Sequence, residues 1–211
     1  MVRAVFLDAL GTLVELEPPW VALRERVPAE VSDEALMAAI RAEMSYYREH
    51  SHEGRDPDSL ADLRQRCAEL VSRELGTEVT AQQLVESIRF AAYPDADPAL
   101  RALRGRGARL VVVSNWDCSL PRVLERCGLA ERLDGTVTSA EAGARKPDPA
   151  IFARALELAG CDAADALHVG DTPQEDVAGA RATGIRPLLL DRSGDGDISS
   201  LTEIEEHLGD E

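Results

Sequence analysis

The sequence predicts an α/β protein: a doubly wound parallel sheet carrying an all-helical insertion. Three observations lead there. From Tyr93 onward, short apolar runs of strand length alternate with stretches of helical period, the pattern of parallel strands joined by crossover helices. One further apolar run, Val5-Phe6-Leu7, lies near the start of the chain. Between the two, residues 16–93 carry helical spacing and loops with no clear strand. The sheet domain is therefore expected to comprise residues 1–15 and 94–211, with a helical domain of residues 16–93 inserted just beyond the end of the first strand.

Val5-Phe6-Leu7 is short enough for a buried strand and ends on Asp8, followed by the turn pair Gly11-Thr12. Leu13 to Pro19 reads as a linker, because Pro18-Pro19 bars a continuing helix. A first helix is expected over about residues 20–27. Ser32 caps a second, whose Leu36, Ala39, Ile40 and Met44 share one face, running to about Arg48. After a polar loop, Asp56-Pro57 opens a third helix, with Leu60, Leu63, Cys67, Leu70 and Val71 inward and Gly76 at its end. Thr80 with Gln83 fits a capping box for a fourth helix, about residues 81–92.

In the second half, Asp97-Pro98 starts a helix ending near Gly105 and Gly107, and Arg109 to Val113 form a strand ending at Ser114-Asn115. A helix near 120–126 and a short strand at Gly135 to Thr138 follow. Asp148-Pro149 caps a helix running to Gly160, and Ala166 to Val169 form a strand ending at Gly170-Asp171. Pro173 opens a helix closed by Gly184, Pro187 to Leu190 give the last strand, and Ile198, Leu201, Ile204 and Leu208 mark a final amphipathic helix.

Composition narrows the function classes. The chain has 211 residues, 45% of them hydrophobic and 29% charged, which is the balance of a globular protein with a full core. Its formal net charge of −16 argues against a nucleic acid or an anionic membrane as partner. No apolar run is long enough to span a bilayer, and the residues before Asp8 are too few for a signal peptide. Cys67, Cys118, Cys127 and Cys161 show no paired metal spacing, so reduced thiols in a cytoplasmic protein are expected. Of the 23 basic residues only Lys146 is a lysine. A chain that uses arginine almost everywhere keeps one compact ammonium, and the two are not interchangeable where a point charge must fit a small site.

Four polar clusters fall at strand ends or in the turns after them: Asp8 to Thr12, Ser114-Asn115, Lys146-Pro147, and Gly170-Asp171 through Asp176. In an open parallel sheet, ligands bind beyond the carboxyl ends of the strands. Each residue alone has a plain structural role: Ser114 a helix cap, Asp171 a turn former, Asp176 a solvated helix charge. Together, in this order, they supply what phosphoryl transfer requires. Asp8 can be the nucleophile. Ser114 and backbone amides near Leu10 can hold phosphate oxygens, and Lys146 can supply positive charge. Asp8 and Asp171 can offer oxygens to Mg²⁺, with Asp176 holding a metal-bound water.

On these residues the chain resembles the haloacid dehalogenase superfamily, in the subgroup with a helical cap inserted after the first motif. Asp8 matches the nucleophile, Thr12 the small polar residue after the glycine, Ser114 the second-motif hydroxyl, Lys146 the third-motif lysine, and Asp171 with Asp176 the acidic pair. The resemblance implies a Rossmann-like core under a mobile four-helix cap, Mg²⁺ as cofactor and a small phosphorylated substrate. It also implies that Thr12, Ser114, Asn115 and Lys146 hold substrate, that Asn115 orients the nucleophile, and that the Leu10 carbonyl joins Asp8, Asp171 and Asp176 around the metal.

One position departs from that pattern. Family phosphatases carry a second Asp two residues after the nucleophile, which protonates the leaving oxygen and later activates water; here it is Leu10. General acid–base help is worth about 10²–10⁴-fold, so a slow phosphatase is expected. The superfamily's dehalogenases also lack that Asp, and their Asp-Ala-Tyr-Gly-Thr is close to Asp8-Ala9-Leu10-Gly11-Thr12. They need no metal, however, and lack the pair that Gly170-Asp171 supplies. Three readings stand: a Mg²⁺-dependent phosphohydrolase, a 2-haloacid dehalogenase, and a catalytically weak protein that binds a phosphorylated ligand. Tyr47, His50 and His52 are candidate proton donors from the helical block; Arg41, Arg48 and Arg55 are candidate anion readers; Trp116 and Asp117 are candidate cleft residues.

Overall fold

The computed structural model describes residues 2–209. Its centre is a five-stranded parallel sheet built from β1 (Ala4–Leu7), β4 (Arg109–Ser114), β5 (Gly135–Thr138), β6 (Ala166–Gly170) and β7 (Arg186–Leu189), in the order β5-β4-β1-β6-β7. β1 lies between β4 and β6, in register Leu7 to Val112 and Leu7 to Val169. Being parallel, all five strands end at one edge of the sheet, which places Asp8, Ser114 and Asp171 together there.

The strands are apolar on both faces because both are covered. Val5, Leu7, Leu110, Val112, Leu167 and Val169 point to one side. There they meet Leu100 and Leu103 of α5 (Ala96–Gly105), Leu120 and Leu124 of α6 (Leu120–Arg126), and Leu201 and Ile204 near the C-terminus. Ala4, Phe6, Val111, Val113 and Ala166 point to the other side, against Ile151, Phe152 and Ala155 of α8 (Pro149–Ala159) and Ala180 of α9 (Ala178–Ala182). A short α7 (Ser139–Ala142) follows β5.

Between β1 and β4 the chain forms α1 (Pro19–Arg24), α2 (Asp33–His50), α3 (Pro57–Leu75) and α4 (Ala81–Ser87). These helices share their own apolar cluster, with Leu23, Leu36, Ile40, Leu63, Val71 and Leu84 fully or almost fully buried. The expected caps are present. Ser32 accepts from the Ala35 amide, Asp56 from those of Asp58 and Ser59, and Thr80 and Gln83 form a reciprocal box, each worth about 1 kcal/mol.

The helical block is not all helix. The fourth helix stops at Ser87 rather than near Ala92, and Phe90–Ala92 is a strand, β3, paired antiparallel with β2 (Val14–Leu16). Ile88 continues the helical spacing of Leu84 and Val85, but pairing with a strand far away in sequence wins over that local preference. The ribbon crosses the first expected domain boundary, after residue 15, and β3 ends just before the second, after residue 93. Two other elements differ in kind: Pro173–Val177 is a single π-turn ahead of α9, and the C-terminal amphipathic stretch, Leu201–His207, is 3₁₀-helical. Within the described residues no helix is long and apolar enough to cross a membrane.

Candidate active site

Asp8 follows β1 directly, its amide bonded to the Val169 carbonyl at 2.9 Å, and it is only 7% exposed. The buried Lys146 ammonium reaches it: Nζ lies 2.6 Å from Asp8 Oδ1 and 2.6 Å from Asp176 Oδ1. Lys146 is itself held by Asn115, whose Oδ1 accepts from the Lys146 amide at 2.7 Å and whose Nδ2 donates to the Lys146 carbonyl at 3.1 Å. Asn115 Nδ2 also donates to Glu175 Oε2. The described bonds of Asn115 thus position the lysine rather than Asp8 itself. Ser114 ends β4 beside this pair, 3% exposed, and its hydroxyl adds, after Lys146, to what opposes the effect of burial on Asp8. Thr12 is fully buried and its hydroxyl has no partner among the described residues.

The glycines of the two acidic motifs are there for space. Gly11 has φ +85°, and a Cβ on it would stand 2.2 Å from Asp171 Oδ2. A Cβ on Gly170 would stand 2.1 Å from Asp176 Cγ. Both carboxylates therefore press against backbone that only glycine leaves clear. Asp8, Asp171 and Asp176 each bring one oxygen within 4.8 Å of the others.

Burial is the largest influence on each charge here, and the neighbours decide the outcome. Burial raises Asp8 above the ordinary carboxylate value against the pull of Lys146. Burial would also raise Asp176, but Lys146 and a hydrogen bond from His168 hold it well below the usual range. Burial would lower Lys146, yet Asp8 and Asp176 keep it above its ordinary value. Burial together with the charges of Asp8 and Asp176 pushes Asp171 up to about 6. Three converging carboxylates with one ammonium leave an excess of negative charge, and hard anionic oxygens are the donors Mg²⁺ takes. The residues present fit such an ion.

The sign of the Asp171 shift gives a test. A carboxyl raised by folding destabilises the metal-free fold above about pH 6 and not below 3.8, its ordinary value. Asp171→Asn is expected to raise the melting temperature of the metal-free protein at pH 7.5, and the gain should vanish near pH 4. Thermal melts of parent and variant across pH check both.

The sequence did not point to His168. Its Nε2 lies 2.9 Å from Asp176 Oδ1, it is fully buried on β6, and Phe152 packs edge-on against its ring at 5.1 Å. A histidine in an apolar strand reads as core, and only its spacing before Asp176 hinted otherwise. Asp176, expected to hold a metal-bound water, has its first described role as an anchor. Oδ1 takes Lys146 and His168, and Oδ2 accepts from the Thr172 amide at 3.0 Å.

Above Asp8 lies a cavity of about 1010 Å³ walled by the helical segment on one side and the strand-end loops on the other. Asp8, Leu10, Ser114, Asn115 and Asp171 line it, as do Trp116, Asp117, Tyr47, Arg48 and Arg55. His50, bonded to Glu53 at 2.7 Å, is not a lining residue, and neither are His52 and Arg41. Bonds that tie the helical segment to the sheet's loops include Tyr47 Oη to Asp117 Oδ2 at 2.7 Å, the Cys118 amide to the Gly54 carbonyl at 2.8 Å, and Arg145 Nη1 to the Glu49 carbonyl at 3.0 Å.

A doubly wound sheet with an acid–lysine–acid cluster at its strand ends defines a class of α/β proteins suited to group transfer through a carboxylate. Within that class, a family model for haloacid dehalogenase-like hydrolases matches residues 2–184, and the chain belongs to that family. Over 95 residues, 45% of this chain, it is 47% identical to haloacid dehalogenase-like hydrolase domain-containing protein 3 of Bos taurus, covering 38% of that protein. Over 123 residues, 56% of this chain, it is 37% identical to a phosphoserine phosphatase of Thermus thermophilus, covering 49% of it. The match thus spans less than half the length of either relative. Among solved structures, a HAD phosphatase from Thermococcus onnurineus aligns over 99% of this chain and 98% of its own, with a TM-score of 0.71 at 24% identity. A 2-haloacid dehalogenase from Pseudomonas syringae aligns over 99% and 98%, with a TM-score of 0.67 at 27% identity.

Proposed function

We propose that the protein is a Mg²⁺-dependent phosphohydrolase acting on a small phosphorylated substrate through an aspartyl phosphate, an acyl phosphate formed at Asp8. One observation carries this over the dehalogenase reading. Asp171 is pressed against Gly11 with its oxygen facing those of Asp8 and Asp176, an accumulation of negative charge that halide displacement has no use for. The phosphatase named among the relatives supports the same reading.

Bound at Asp8, Asp171 and the Leu10 carbonyl, with Asp176 behind them, Mg²⁺ would supply positive charge to the phosphate oxygens. The chain's own groups do the rest. An Asp8 oxygen attacks phosphorus and the bond to the leaving oxygen breaks. Lys146 neutralises charge on the transferring group and holds Asp8 in place, while Ser114, Thr12 and Asn115 stand on the substrate side or support it. Water then attacks phosphorus, the bond to Asp8 breaks, and phosphate leaves. Leu10 can neither donate nor accept the protons these steps move. Tyr47 is a poor substitute: burial and the neighbouring Asp117 hold its phenol well above its ordinary 10.0.

The helical segment, residues 16–93, acts in this reading as a cap over the site. The β2–β3 ribbon is its tether, and the Tyr47–Asp117 bond is one of its closing contacts. The four cysteines are free thiols, in keeping with a cytoplasmic enzyme.

The test is turnover of an aryl phosphate with and without Mg²⁺. Slow, metal-dependent release is expected, falling steeply as the leaving group becomes more basic. Metal-independent halide release from 2-chloropropionate would overturn the reading, and absence of turnover on any phosphate would favour a binding protein. Leu10→Asp is expected to raise kcat on alkyl phosphates by about 10²-fold, the lower end of what a general acid–base contributes. The same steady-state assay measures it.

A further inference from the structure

The cavity above Asp8 holds charges that the proposed reaction does not use. Arg48, Arg55, Arg64, Arg89, Arg122 and Arg126 all line it, in addition to Arg145 on the Glu49 carbonyl. Among the described residues none of the seven forms an ion pair with a carboxylate, whereas nine arginines elsewhere in the chain do. This is not for want of acids, since the chain carries 39 Asp and Glu against 23 basic residues. Three carboxylates that share the wall are engaged otherwise. Asp56 accepts from amides of its own helix, Asp117 from Tyr47 and the Ser119 amide, and Glu175 from Asn115.

Two of these arginines come to the cavity from different parts of the fold, one from the helical segment and one from the sheet domain. Arg64 is half-buried on α3, on the cavity-facing side that also carries Leu60 and Cys67. Burial raises the Cys118 thiol, in the loop leading into α6, and Arg64 is among the groups that oppose it. Arg122 lies one turn from Arg126 on α6, across from the helical segment. Guanidinium groups gathered in one partly enclosed space repel each other unless an anion sits between them. A phosphate bound at Asp8, Lys146 and Ser114 would not fill this cavity, whose 1010 Å³ is at the top of the range of about 300–1,000 Å³ for small-molecule sites. Ile40, Met44, Leu60 and Val85 give the space in between an apolar wall.

We propose that the substrate is a phosphomonoester bearing a second anionic oxygen group, a carboxylate or another phosphate, and that Arg64 and Arg122 bind that second group away from Asp8. The inference rests on the phosphohydrolase reading for the role of the first phosphate, but the anion site itself does not. Because the two arginines come from the helical segment and from the sheet domain, an anion between them also draws the two together.

Non-hydrolysable probes separate the two ideas. Propylphosphonate, 3-phosphonopropionate and propane-1,3-bisphosphonate are titrated into the 211-residue chain with Mg²⁺ by calorimetry. At least one doubly charged probe should bind about tenfold more tightly than propylphosphonate, the value of a charge-assisted hydrogen bond, and added salt should narrow the gap. Which doubly charged probe binds more tightly identifies the second group. In Arg64→Met/Arg122→Met the preference should fall toward one; Arg122→Gln, at an exposed position, gives the same reading with a partial loss if the double variant does not fold. Equal affinities in the parent, or a preference retained in the variants, would overturn the proposal. A binding preference without turnover of the matching phosphate esters would sink the phosphohydrolase reading and leave the anion site standing.

Discussion

Asp8→Asn is expected to remove Mg²⁺-dependent turnover by at least about 10⁴-fold, the scale seen when a nucleophile is deleted from an otherwise intact site. The amide is isosteric with the carboxylate and can still accept from Lys146 Nζ, which lies 2.6 Å away. Asp176 continues to pair the ammonium on its other side. The melting temperature should therefore change little while the chemistry stops. Radiolabelled substrate, quenched in acid during turnover, should leave label on the parent and none on the variant. Trapped label should persist in the parent, because Leu10 offers no base to activate the attacking water. Retained turnover in Asp8→Asn, or label at another residue, would mean that the reaction runs through a different group.

Lys146→Met should have the largest effect on stability. Asp8 is 7% exposed and Asp176 1% exposed, and both lean on one ammonium. Removing one partner from a buried ionic group typically costs about 3–5 kcal/mol, because the remaining charge is left without compensation. The pH dependence gives the sign. In the parent, Asp176 is held below its ordinary value, so its contribution is present above the normal carboxylate range and lost as pH falls through its folded value. Without Lys146, burial raises the carboxyls, and stability falls as pH rises through their new values. The deficit of the variant should thus be large at pH 8 and smaller at pH 5, and Mg²⁺ should recover part of it. Urea denaturation at the two pH values decides the matter; equal deficits would show that Lys146 contributes through packing alone.

Local chemistry explains what was readable in advance. The caps at Ser32, Asp56 and Thr80 form as expected because donor and acceptor lie within three residues of each other. The central strands β1 and β4 were plain because burial on both faces leaves an unbroken apolar run. Asp8, Ser114 and Asp171 could be placed because parallel strands share one carboxyl edge. What escaped depends on partners distant in sequence. β3 has three residues, too few to display a period, and exists by pairing with Val14–Leu16. The His168–Asp176 bond and the Tyr47–Asp117 bond require the folded chain to bring elements together. The unpaired arginines of the cavity look, in one dimension, like any other surface charge.

The β2–β3 ribbon has a consequence for how this architecture can vary. Because the polypeptide departs from and returns to the sheet along two adjacent strands, everything beyond them is covalently joined through a single narrow stalk. A foreign module with its own ends equally close together could be transplanted onto that stalk without re-registering β1 against β4 or β6. Selectivity for one metabolite or another could then be exchanged wholesale while the reactive groups beneath keep their places.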